Sequence, residues 1–172
     1  MSAPEIPDGH GPSRMTPGPG LESLAPFIGT WRGQGRGTYP TITDFGYGEE
    51  IRLRDVGRPF LLYEQRTWSL DDGRPLHAEA GYWRPTPDGR LQILVAQATG
   101  MVEIDEGTVR DGRIAVTSRT VAAASSGPDV TSVARAMEVV GDEIRYELRM
   151  AAVGRPLLVH LVATLIRVPD ER

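Results

Sequence analysis

Residues 29–42 read GTWRGQGRGTYPTI, a stretch in which glycine occupies every second position from Gly33 to Gly37. Side chains two residues apart on a strand point to the same face, so one face carries Trp31 followed by three positions without side chains. A glycine within a strand loses conformational entropy and contributes no packing, so three in register require a reason. The alternatives are a sharp bend of the sheet and a close approach of another group to the backbone. The spacing alone favours the bend.

The sequence that follows alternates extended runs with short turns rich in glycine, proline and aspartate. A run over 45–53 alternates apolar with other residues, and further extended runs are predicted over residues 60–69, 76–84, 91–98, 101–105, 113–121, 130–140, 143–151 and 157–168. The absence of a long amphipathic helix indicates an antiparallel sandwich or barrel. Hairpin-length connections favour an all-β fold, a ten-stranded antiparallel up-and-down β-barrel of the lipocalin-like kind, because closure leaves no edge strand.

Length and composition are those of one globular domain, with 172 residues, 40% hydrophobic residues and a net charge of −4. The lack of a basic cluster argues against nucleic-acid binding, and no apolar run approaches the roughly 20 residues that span a bilayer. The chain contains no cysteine and no lysine, which excludes disulfides, thiolate ligands and Schiff-base chemistry. Because the N-terminus also lacks a signal-peptide pattern, the sequence predicts a cytoplasmic protein without membrane segments.

The N-terminal residues differ in composition from the rest. Residues 1–20 are rich in proline and glycine and show no periodicity, so they are predicted to be a disordered tail. Residues 21–168 are predicted to form the barrel domain, which begins with one short helical turn over 21–28 that Pro26 keeps from extending.

Histidine is scarce in the predicted barrel, which contains only His77 and His160. Two histidines without cysteine are too few for a usual zinc site, and no nucleophile-elbow motif is present. A single histidine beside an apolar cavity suits a haem iron, which needs one protein ligand. From the residues alone, a hydrogen-bonded core histidine is the favoured explanation of His160. Parity does not decide which face either histidine occupies.

Other polar positions can be assigned to a face. Gln97 lies on the same face of its strand as the aliphatic residues, including Val95, and is predicted to point inward. Met150 likewise belongs to an apolar face. Glu49 and Glu50 are adjacent, so they are expected on opposite faces of a strand, and a solvated edge is the predicted environment of the pair.

Four blocks of this sequence resemble, in the same order, the nitrobindin family of β-barrel haem proteins. The first is the 29–42 stretch, which is similar to the GxWxGxG…YPTI signature. The others are PLHAEAGYWR at 75–84, VAQATGMVEI at 95–104, and the segment 150–161, which includes the position of the proximal histidine. The similarity extends over about residues 21–168. GxWxG alone also occurs in lipocalins, whereas four blocks in order are specific.

The resemblance implies a barrel that holds one haem b per subunit, with a mainly ferric iron that is bound axially by His160. It therefore implies that His160 is both the metal ligand and the catalytic residue. It implies that the cofactor is contacted by Thr41, Leu76, His77, Gln97, Met150 and His160. It also implies reversible binding of nitric oxide and isomerisation of peroxynitrite to nitrate, and it is compatible with a homodimer. Relatives can place a lysine near the haem edge, so here an arginine replaces that contact or the contact is missing.

Some alternatives stay open at this point. His77 either lies on the open side of the haem or packs within the barrel. A lipocalin-like carrier of an apolar small ligand, without metal, explains the barrel and the apolar cavity equally well. Within the haem interpretation, Trp31 is expected to plug one barrel end and Thr41 to reach the haem.

Overall fold

The computed structural model describes residues 16–169 and has the predicted architecture, a closed barrel of ten antiparallel strands. Each strand pairs with its neighbours in sequence, and the first strand pairs with the last to close the ring. The strands are β1 (Gly29–Tyr39), β2 (Ile42–Asp55), β3 (Leu61–Ser69), β4 (Pro75–Pro85), β5 (Arg90–Gln97), β6 (Met101–Arg110), β7 (Arg113–Ala123), β8 (Val130–Val140), β9 (Glu143–Ala152) and β10 (Leu158–Val168). The prediction of a ten-stranded up-and-down barrel is confirmed.

A short 3₁₀ helix over Glu22–Phe27 precedes β1 and covers one end of the barrel. Phe27 on this helix and Trp31 on β1 are fully buried, and the indole Nε1 of Trp31 donates a hydrogen bond of 2.8 Å to the Phe27 carbonyl. The Arg167 guanidinium lies over the indole, with Cζ 4.0 Å from the ring centroid. Trp31 therefore closes this end as expected, and we call it the closed end.

The alternating glycines of β1 are explained by a close approach rather than by a bend alone. Gly35 and Gly37 pair directly with Tyr47 and Phe45 of β2. A methyl group at either glycine would overlap the aromatic ring opposite it, and at Gly33 it would overlap the backbone of β10. The glycine face thus provides the space in which inward aromatic rings lie against the barrel wall.

The middle of the barrel interior is polar, between the apolar closed end and the opposite end. Inward-facing, buried polar side chains from six strands meet there, and we call this set the polar belt: Glu49, Gln65, Glu79, Glu103, Asp105, Arg135 and Tyr146.

The predicted solvated edge at Glu49 and Glu50 is wrong, although the two side chains do lie on opposite faces. Glu49 is 0% exposed inside the barrel, and Glu50 is 2% exposed on the outer wall. Glu50 is covered by the arginines at 32, 52 and 66, which come from three neighbouring strands and form ion pairs with it. A closed barrel has no edge at β2, so both carboxylates are buried and need hydrogen-bond or ion-pair partners.

The first residues of the predicted tail, 1–15, lie outside the described residues. Residues 16–20 lead into the 3₁₀ helix, and the Gly18 N–H donates a hydrogen bond of 2.7 Å to the Asp55 carboxylate at the end of β2. Within residues 16–169 no helix has the length and apolar character needed to cross a membrane.

Candidate functional site

The end of the barrel opposite Trp31 contains a cavity of about 750 Å³, within the size range of small-molecule and cofactor sites. We call this the open end. Its wall includes every residue that the family resemblance assigns to cofactor binding: Thr41, Leu76, His77, Gln97, Met150 and His160. These residues come from four different strands and one turn, so only the closure of the barrel brings them together.

His160 reaches the cavity because β10 has a bulge at this residue. Val159 pairs with Arg149 of β9 and Leu161 pairs with Leu148, which leaves His160 as the extra residue. Beyond the bulge, residues that share the parity of His160, such as Val162, are exposed on the outer wall. The bulge thus turns both His160 and Leu161 toward the cavity, a common use of bulges near functional sites. Both faces of this strand are apolar in sequence, so alternation could not assign a face to His160, and the bulge shows that both faces contribute to the cavity at this point.

One nitrogen of His160 is fixed and the other is available. Nδ1 lies 3.0 Å from the Thr38 carbonyl oxygen, which can only accept, so Nδ1 carries the proton and Nε2 carries the lone pair in the neutral ring. The Tyr39 ring meets the imidazole edge-on, with 5.5 Å between centroids. Burial lowers the pKa of His160 although the bond to Thr38 opposes this, and nearby His77 lowers it further. A neutral, oriented imidazole is the form that binds a metal.

His77 lies in the wall of the same cavity, on the inward face of β4, and is partly exposed. Its Nε2 is 3.4 Å from Oε2 of Glu79, two residues along the same face. Burial opposes the ionisation of Glu79, but the charge of Arg135, the contact with His77 and the hydrogen bond from Tyr63 together outweigh it, and the pKa of this carboxyl falls to about 2. His77 is therefore held beside a stable carboxylate. Whether it also contacts a cofactor stays a prediction.

Gln97 points inward as predicted, and its Nε2 donates a hydrogen bond of 2.8 Å to Glu103 Oε1. Met150 contributes its side chain to the cavity wall, and its carbonyl accepts a hydrogen bond from the Tyr39 hydroxyl. Thr41 lies at the exposed rim, in the turn between β1 and β2.

The polar belt forms the floor of the cavity, and sequence reasoning missed it. Arg135 is 6% exposed and forms ion pairs with Glu79 at 3.1 Å, with Asp105 at 3.2 Å and with Glu103. Burial raises the pKa of Asp105 to about 7, with Arg135 opposing. The signal was present in the sequence, because Arg135 lies two residues from both Val133 and Met137 and therefore shares their apolar, inward face.

The cavity suits a cofactor that already contains a metal ion and most of the ligands of that ion. Residues 16–169 contain no cluster of three or more histidine or acidic side chains that could hold a bare metal ion. A porphyrin requires only one nitrogen from the protein, which His160 can provide, and a largely apolar wall, to which Leu76, Leu148 and Leu161 contribute.

Comparisons with known proteins agree with this geometry. Residues 20–167 match a family described as the THAP4-like, heme-binding beta-barrel domain. A relative from Nocardia farcinica named peroxynitrite isomerase is 50% identical over 154 residues, which cover 87% of this chain and 91% of the relative. A protein of the same name from Streptomyces griseus is 43% identical over 94% of this chain and 91% of its own length. The crystal structure of Rv2717c from M. tuberculosis matches with a TM-score of 0.83 and 40% identity, over 89% of this chain and 99% of that one.

Proposed function

Because this chain belongs to the THAP4-like haem-binding β-barrel family, the nitrobindin family that its sequence blocks resemble, we propose that it holds one haem b on His160 and isomerises peroxynitrite to nitrate. The observation that carries the proposal is the bulge at His160, which turns a neutral imidazole with a free Nε2 into an otherwise largely apolar cavity. The relatives named peroxynitrite isomerase support the choice of substrate.

The reaction requires no net proton transfer from the protein, since peroxynitrite and nitrate are isomers of equal charge. When bound, haem supplies the metal centre that accepts the anion and allows its oxygen atoms to be rearranged. His160 would hold the group through Nε2, and the Thr38 carbonyl keeps the imidazole from rotating. Leucine and methionine side chains limit the water that surrounds the reacting anion.

The rim also offers a replacement for the lysine that this chain lacks. Arg74 lies at the cavity and is largely exposed, paired with Asp72 at 3.3 Å. A guanidinium in this position suits a propionate carboxylate, so we assign the anchoring contact to Arg74. The proposal also includes nitric oxide as a ligand of the same open metal position and a cytoplasmic location. A homodimer is compatible with it.

Titration of the haem-free chain with hemin, followed by the Soret absorption, tests the binding step. Wild-type protein and His77→Ala are expected to give a ligated Soret band, and His160→Ala is expected to lose it. The two histidines share one cavity, so His77→Ala controls for a general loss of cavity shape. An unchanged band in His160→Ala overturns the assignment. No band in any variant, with tight binding of a fluorescent fatty-acid analogue, would favour the lipocalin-like carrier.

Stopped-flow measurement of peroxynitrite decay tests the chemical step. The haem-loaded chain is expected to accelerate decay over the haem-free chain and over free hemin, with a higher ratio of nitrate to nitrite among the products. Equal decay with and without haem would leave a haem and nitric oxide binder and would refute the isomerase.

A further inference from the structure

A row of hydrogen-bonded side chains leads from the cavity into the polar belt. Tyr47 lines the cavity, and its hydroxyl lies 2.8 Å from the hydroxyl of Tyr146. The Tyr146 hydroxyl donates a hydrogen bond of 2.7 Å to Glu49 Oε2, and Gln65 donates to the other oxygen of the same carboxylate. All of these side chains are buried. The haem-holding role of His160 uses none of them.

The direction of these hydrogen bonds follows from the number of protons available. A phenol carries one proton, and that of Tyr146 is committed to Glu49. Tyr47 must therefore be the donor in its bond to Tyr146. The row is then ordered from a donor at the cavity wall to an acceptor inside the barrel, so two short proton shifts along it would move one proton out of the cavity.

Such a row is what one-electron oxidation of a phenol requires. An oxidised phenol is strongly acidic, so oxidation of a buried tyrosine is efficient only where a base takes the proton. We propose that Tyr47 is a redox relay of the cavity, which gives an electron to a one-electron oxidant while its proton passes to Tyr146 and the Tyr146 proton passes to Glu49. With nitrogen dioxide as the oxidant, the step converts it to nitrite and Tyr47 to a neutral tyrosyl radical, and Glu49 becomes a carboxylic acid.

The source of the oxidant rests on the proposed function. Peroxynitrite that fails to rearrange breaks its O–O bond as peroxynitrous acid, which gives nitrogen dioxide and hydroxyl radical. Tyr47 lines the cavity in which this nitrogen dioxide would form, and its hydroxyl is linked through Tyr146 to the Glu49 carboxylate. A relay at this position would trap nitrogen dioxide before it left the cavity. Combination of the tyrosyl radical with a second nitrogen dioxide gives nitrotyrosine, which marks the residue.

The chain contains a matched control in Tyr39. Its ring also lines the cavity and is 5% exposed. Its hydroxyl, however, accepts from the Ala152 N–H at 2.9 Å and faces the carbonyls of Met150 and Ala152 at 3.2 and 3.3 Å. A main-chain carbonyl is a hydrogen-bond acceptor but does not take up a proton at neutral pH. The two tyrosines thus share a cavity and differ in the base behind them.

The surroundings of Glu49 set the pH range of the relay. Burial raises the pKa of Glu49 to about 7, against the hydrogen bonds from Gln65 and Tyr146. The charge of Glu79 on β4 raises it further and that of Arg135 on β8 lowers it, and Tyr47 and Tyr63 are the other titratable groups that interact with it. Since the base must be ionised to accept a proton, oxidation of Tyr47 should accelerate as the pH rises through about 7.

The experiment exposes the full chain, with and without hemin, to nitrogen dioxide generated by pulse radiolysis. All variants carry Tyr82→Phe, because Tyr82 is exposed and would react first. Tyrosyl radical is followed by its visible absorption and by freeze-quench electron paramagnetic resonance, and nitrated residues are located by peptide sequencing. Circular dichroism checks that each variant is folded.

The expected results separate the two tyrosines. Tyr47→Phe should lose the fast tyrosyl signal and the main nitration site, whereas Tyr39→Phe should retain both. Glu49→Gln should slow the signal and remove its rise with pH, with Tyr47 still present. An equal loss in Tyr39→Phe, an unchanged signal in Tyr47→Phe, or an unchanged pH profile in Glu49→Gln overturns the relay. Because the oxidant is supplied directly, these results do not depend on isomerase activity, whose failure would appear in the peroxynitrite decay instead.

Discussion

At the closed end of the barrel Trp31 and Phe27 fill the interior, whereas at the open end His160 and Thr41 surround a cavity. The first arrangement buries large apolar groups and a satisfied indole N–H, which stabilise the fold. The second leaves apolar side chains of the wall, such as Leu76 and Leu161, only partly buried around a space that a large group can enter. The polar belt lies between them and isolates one from the other. Stability and binding should therefore respond to different substitutions.

The largest loss of stability is expected at the closed end. Trp31→Ala removes a fully buried indole, its hydrogen bond to Phe27 and its contact with Arg167, and should lower the free energy of unfolding by about 4 kcal/mol. Hemin affinity should change little, because the cavity lies at the other end. Urea unfolding and hemin titration measure the two quantities. A loss of hemin affinity without a loss of stability would break the separation of the two ends.

A somewhat smaller loss is expected in the polar belt. Arg135→Met leaves Glu79, Glu103 and Asp105 buried without their guanidinium partner, which should destabilise the fold by about 3 kcal/mol. Urea unfolding provides the measurement. Arg113→Met is the control, because its ion pair with Glu138 lies exposed on the outer wall and contributes little. Similar effects of the two substitutions would contradict the role assigned to the belt.

The glycine face should be intolerant of a single methyl group. Gly35→Ala would place Cβ against the Tyr47 ring and 2.7 Å from the Val162 carbonyl oxygen, with an expected loss of about 2 kcal/mol. Gly46→Ala on the same sheet meets only the end of the Leu70 side chain and should be nearly neutral. Thermal unfolding measures the melting temperatures of both variants. Equal melting temperatures would indicate that curvature of the sheet, and not close contact, is the reason for these glycines.

The belt should also make stability depend on pH. The pKa of Asp105 is raised to about 7, so between about pH 4 and 7 the folded state keeps a proton that the unfolded state has lost. Stability should therefore fall as the pH rises through this window, by on the order of 1 kcal/mol per pH unit. Asp105→Asn should give a flatter profile in urea unfolding, with the remaining slope due to Glu49, whose pKa is raised to about 7. An identical slope in both proteins would refute a raised pKa for Asp105.

The smallest effect on stability is expected at the open end. His160→Ala removes one hydrogen bond to Thr38 from a partly buried position, so the haem-free chain should lose about 1 kcal/mol or less. Differential scanning calorimetry without hemin measures this loss. Adding hemin should raise the melting temperature of the wild type and not of the variant. A large loss in the haem-free variant would show that His160 supports the fold, in line with a core histidine.

The sequence predicted the architecture well because each strand pairs with its neighbour and ends at a glycine- or proline-containing turn. It failed where the environment depends on residues far apart in the chain. Glu49 could be assigned to a face, but its burial depends on Gln65 and Tyr146, which only closure brings near. Gln97 and Met150 could be assigned from the alternation of their strands, whereas His160 was reached through resemblance, since both faces of its strand are apolar in sequence and the bulge becomes visible only in the structure.

The pairing of β1 with β10 has a consequence for the order of the chain. Thr30 and Val168 face each other across this seam, so the two ends of the barrel sequence are adjacent in space. A short linker could join them, and new termini could be opened at the Gly141-Asp142 hairpin between β8 and β9. In such a circular permutant the strand that carries His160 would lie within the chain, with every strand pairing of the barrel retained.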